Sequence, residues 1–79
     1  MSSAEARSAL QEELRLVEED LARLRQTAAD LRQRIGERGD GPVDPEEISA
    51  LITSAEEQEA LIDDLEARRE ALLQRVGTL

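Results

Sequence analysis

Residues 10–35 read LQEELRLVEEDLARLRQTAADLRQRI, with apolar members at Leu10, Leu14, Val17, Leu21, Leu24, Ala28, Leu31 and Ile35. The steps alternate four and three without a miss. This is the heptad rhythm of a coiled-coil seam, whose a and d positions face a partner helix. In that register Leu14, Leu21, Ala28 and Ile35 are a residues, and Leu10, Val17, Leu24 and Leu31 are d residues. The run begins behind a capping box, Ser2 with Glu5, in which each side chain satisfies a backbone N–H of the other. Gly36 is expected to end it, with Arg32 and Arg34 set against the negative end of the helix dipole.

Outward from this helix, residues 36–44, GERGDGPVD, hold three glycines and a proline and read as a loop. A second helix starts at once. Asp44 is its N-cap, Pro45 its first residue and Glu47 the closing member of a capping box, while Val43 and Ile48 are placed for a hydrophobic staple. Its seam continues through Ile48, Leu51, Ala55, Gln58, Ile62, Leu65, Arg69, Leu72 and Val76. Folding the chain back on itself sets Ile35 against Ile48, Ala28 against Ala55, Leu21 against Ile62, Val17 against Leu65 and Leu10 against Leu72. Charges on the flanks match as well: Arg34 with Glu47, Arg25 with Glu59, Glu13 with Arg68. The sequence therefore predicts an all-α protein, an antiparallel two-helix coiled-coil hairpin with helices at 3–35 and 45–76 and a loop at 36–44.

Composition narrows the chemistry. The chain of 79 residues has no Phe, Trp or Tyr, so its core is aliphatic, and it has no Cys or His, which removes disulfides, thiol chemistry and the usual transition-metal ligands. No Ser–His or Cys–His nucleophilic pair can form. Nineteen acids against ten bases give a net charge of −9, a field that repels nucleic acid and anionic membrane and favours basic protein surfaces. All ten bases are arginine, a compositional sign of a GC-rich bacterial genome. MSSAEARSAL holds no apolar run of signal-peptide length, and no segment is long enough to span a bilayer, so a cytoplasmic protein without cofactors is expected.

The second helix is apolar beyond its seam. Ile52 and Leu73 take e positions and Leu61 a g position, a widening that suits a helix in a bundle. A homodimer closing a four-helix bundle is the simplest arrangement that covers them. Gln58 and Arg69 interrupt the seam and are candidate contacts of the same interface; Arg69 can also run its stem over Leu14 and carry its head to Glu13, Glu66 or solvent. Glu18, Glu19, Asp63 and Asp64 form a candidate acidic flank for a basic partner. Asp40 and Asp44 are the candidate site at the hairpin tip, since carboxylates alone can ligate a hard divalent cation.

The run from Arg38-Gly39-Asp40 to Leu72, with Ala55-Glu56-Glu57-Gln58 and Leu65-Glu66-Ala67-Arg68, resembles the N-terminal coiled-coil hairpin of the Gre transcript-cleavage factors. That resemblance implies an arm entering the secondary channel of RNA polymerase, with tip acids that help hold a catalytic magnesium. Asp40 matches the family's tip aspartate, and Asp44 stands loosely in place of the second acid. The family's tip Ser-Glu-Asn, the following Tyr and its C-terminal domain have no counterpart here. The residues thus support two expectations: a non-enzymatic protein–protein interaction module acting through self-association and an acidic flank, or a transcription regulator reaching into RNA polymerase.

Overall fold

Local rules at the chain start set the first helix. In the computed structural model, which describes residues 2–38, 42 and 44–79, Ser2 Oγ accepts from the Glu5 N–H at 3.2 Å. The Glu5 carboxylate accepts from the Ser2 N–H at 3.3 Å. Helix α1 then spans Ser3–Arg38. It passes through Gly36, where the sequence had suggested a stop. A glycine ends a helix by turning left-handed, and no described glycine has a positive φ. The added turn is held by Gln33, which donates to Glu37 at 3.1 Å, and by Arg38, which reaches across to Glu47.

Helix α2 spans Pro45–Gly77. Asp44 has extended backbone angles (φ −74°, ψ 116°), and its Oδ1 accepts from the Glu46 N–H at 3.0 Å. Glu47, expected to close the box, is instead paired with Arg38. The longer α1 brings that guanidinium within reach, and a charge-assisted pair competes well with a backbone N–H. Val43, the other half of the expected staple, lies outside the described residues, as does Asp40.

The helices run antiparallel in a body of 61 × 15 × 14 Å. Buried apolar residues are Leu10, Val17, Leu21, Ala28, Ala55 and Leu72, and the seam is the one the heptads predict. Leu10, Val17, Leu21 and Leu72 form one cluster, against which Leu14, Ile62, Leu65 and Val76 pack. This cluster occupies the half of the hairpin farther from the loop. Nearer the loop, the buried residues are two alanines, Ala28 and Ala55, while Leu24, Leu31, Ile35 and Leu51 are only half-buried.

Ion pairs across the seam refine the expected matches. Glu13 meets Arg68, as the register predicts, but Arg25 meets Glu66 at 3.0 Å and Glu59 belongs to Arg32. Side chains on a helix lean toward its N-terminus. On antiparallel helices, partners therefore converge when offset along the axis, which moves Arg25 one heptad from the residue directly opposite. Glu13 and Arg68 lean apart, and theirs is the longest of these contacts at 3.5 Å.

Candidate functional site

With an aliphatic seam closed between two helices, any site of this chain lies on its flanks, its outer faces or its tip. In an antiparallel pair the e positions of both helices share one flank and the g positions share the other. The e flank is polar. It carries Arg32–Glu59, Arg25–Glu66 and the pair of Arg69 with Glu18, whose Nε–Oε1 distance is 3.2 Å. Arg69 thus takes Glu18 rather than Glu13 or Glu66, both of which already hold arginines. Its stem crosses the seam and its head stays outside, as a snorkelling arginine does. Gln58 is half-buried opposite Leu24. No described side-chain polar atom is both buried and unpaired, so its amide stays within reach of water.

Arg69→Leu is therefore expected to keep or raise the melting temperature. It replaces an exposed pair of about 0–1 kcal/mol with an aliphatic group over Leu14. Thermal melts followed by circular dichroism check this, and a drop of more than a few degrees would assign Arg69 a structural role that its geometry does not suggest.

The residues expected to form a partner interface do not share one face. Ile52 and Leu73 are half-buried on the e flank beside the ion pairs, while Leu61 is exposed on the g flank. The g flank also holds two residues that the sequence reading passed over, Leu16 and Leu79. Among the described residues these three are the large apolar side chains most exposed to solvent, at 47% for Leu16, 49% for Leu61 and 42% for Leu79. Two shallow hollows lie along the same flank. One is floored by Ala6, Ala9 and Leu10 beside Leu79 and Arg75; the other lies among Leu16, Val17 and Leu65, with Asp20 and Arg68 at its rim. Glu13 borders both, so the strip is continuous. Leu16 sits at c, outside the a, d, e and g positions that make a two-helix seam and its flanks. An aliphatic residue at an outward position of α1 was the signal available.

The four candidate acids also separate. Adjacent residues on a helix differ by about 100° in direction, so Glu18 and Glu19, like Asp63 and Asp64, point to different faces. Glu18 is held by Arg69 and Glu19 by Arg15. What the fold does gather is a row on the outer face of α2: Glu56, Asp63 and Glu70 at b, with Glu57 and Asp64 at c. No arginine lies among these positions. Helix α1 carries eight acids and seven arginines, and α2 nine acids and three arginines, so the net negative charge is concentrated on α2. On α1, Arg15 bridges Glu12 at 2.6 Å and Glu19 at 2.5 Å. The hydrogen bond from Arg15, and then its charge, hold the Glu12 carboxyl below its ordinary range. A depressed carboxylate contributes stability above its unfolded pKa and loses it as pH falls through the folded one; at this exposed position the contribution is small.

At the tip, Asp44 is engaged in capping α2. Among the described residues no group of three or more acidic, histidine or cysteine side chains is placed to hold a metal ion, and no helix is long and apolar enough to cross a membrane.

The fold defines a class, the antiparallel helical hairpin. Beyond that class, no family model matches the chain, and neither a curated protein nor a solved structure matches it.

Proposed function

We propose that this chain is a small, non-enzymatic interaction protein that pairs with a second copy of itself and presents the acidic outer face of α2 to a basic protein surface. The thinness of the core carries this reading. Leu21 is the one large side chain that is fully buried among the described residues. The accessible surface is 5618 Å² for a mass of 8.8 kDa, against about 4,800 Å² for a compact monomer of that mass. The excess is that of a 61 × 15 × 14 Å rod with little interior of its own, which a second copy would supply. A four-helix bundle made from two hairpins supplies an interface and a two-sided core. The α2 acids at b face away from both seam and flank, and they remain available to a basic partner in the cytoplasm.

An arm inserted into the RNA polymerase secondary channel is the alternative. It draws on the 61 Å length of the hairpin. Of the two tip acids it requires, Asp44 is already committed to capping a helix.

Sedimentation equilibrium at micromolar concentration tests self-association. The expected result is twice 8.8 kDa, with helicity that falls on dilution. A particle of 8.8 kDa that keeps full helicity at every dilution would remove the proposal.

A further inference from the structure

The geometry points to the g flank as the surface through which two copies of this chain meet, in a two-fold arrangement with the axis beside Leu16. This assignment rests on the self-association reading above and adds the face, the symmetry and the contacts. Leu16, Leu61 and Leu79, the large apolar side chains most exposed to solvent among the described residues, are on this flank. The opposite flank is closed by three interhelical ion pairs.

The order of features along the flank is what selects a second copy. At one end Leu61 projects, one helical turn from Asp64 and in the same cross-seam register with Asp20 that Arg68 has with Glu13. At the other lies the hollow floored by Ala6, Ala9 and Leu10, bordered by Arg75. Leu16 sits about midway between them. A two-fold axis at Leu16 exchanges the ends. Leu61 of each copy then enters the other copy's hollow, and Leu16 meets its own counterpart. The arrangement is isologous, with each contact made twice.

Charge follows the same pattern. Arg75 makes no ion pair among the described residues, although it borders the hollow. The acids beside Leu61 are those the two-fold brings to it, with Asp20 on the groove side. Glu13 also borders the hollow but is paired with Arg68, so an apolar projection flanked by acids is matched by an apolar hollow whose uncommitted charge is an arginine, and both belong to one surface.

The chain has no cysteine, so single introduced thiols report the contacts. Leu16→Cys is expected to form a disulfide-linked dimer under mild oxidation. An equimolar mixture of Leu61→Cys and Ala9→Cys chains is expected to cross-link, while each alone does not. Leu73→Cys on the e flank is expected to stay monomeric on denaturing gels. A second measurement does not depend on oxidation. Arg75→Asp is expected to weaken self-association about ten-fold, and adding Asp20→Arg to restore most of it, as coupled charges do in a double-mutant cycle. Cross-linking through Leu73 and not Leu16, or a doubled mass with no cross-link and no charge rescue, overturns the flank assignment and leaves self-association standing. A mass of 8.8 kDa throughout overturns both.

Discussion

Leu21→Ala is expected to lower stability by about 2–5 kcal/mol, the range for removing a buried leucine and leaving a partly collapsed cavity. Leu21 is 1% exposed and sits in the cluster with Leu10, Val17 and Leu72. A chain of this length has on the order of 4–12 kcal/mol in total, so the loss is a large share of what holds the hairpin. In a thermal melt it corresponds to about 10 °C or more, at roughly 4–8 °C per kcal/mol. Leu31→Ala is the internal comparison. Leu31 is also a seam leucine, but it is half-buried and lies outside the cluster. Its replacement should cost clearly less. Equal losses at the two positions would mean that the core is spread evenly along the seam, contrary to the packing observed.

The second large effect has a sign that heptad reasoning alone gets wrong. Ala55 occupies an a position, where leucine ordinarily adds about 1.5–3 kcal/mol of burial. Here Ala55 is 0% exposed and faces Ala28 at 8%. The helices meet closely at that level and leave no volume for a longer side chain. Ala55→Leu is therefore expected to destabilise by about 1–3 kcal/mol through overpacking, read as a lower denaturation midpoint. A higher midpoint would show that the helices can spread there without strain.

The heptad spacing, the caps at Ser2 and Asp44 and the loop glycines were enough to read two helices and their antiparallel contact from the residues. These signals are local or strictly periodic, and one short loop leaves little choice of topology. The remaining features depend on properties that are neither. Gly36 is a common stop signal, but whether it turns left-handed depends on the contacts open to the residues after it, and here Arg38 finds Glu47. The partner of Arg25 depends on the lean of both side chains, which residue numbers do not carry. Leu16 is not legible from the sequence because its heptad position faces outward in a two-helix seam. Its exposure gains meaning only beside Leu61 from the other helix. The acidic row of Glu56, Asp63 and Glu70 was obscured by acids that neighbour it in sequence but point elsewhere.

The uneven core also governs the order in which the hairpin can assemble. Contacts beside the loop close the shortest stretch of chain and cost the least entropy, yet they bring together alanines and half-exposed aliphatics. The leucine cluster that repays ordering joins Leu10 and Leu21 to Leu72 and Ile62, far apart along the chain. Zippering from the loop is thus cheap but poorly rewarded, and each early turn is readily lost until the distant cluster forms. Such a chain is expected to fold in one cooperative step. The helix ends beyond Ala28 and Ala55, with only half-buried aliphatics between them, are then expected to open before the cluster does.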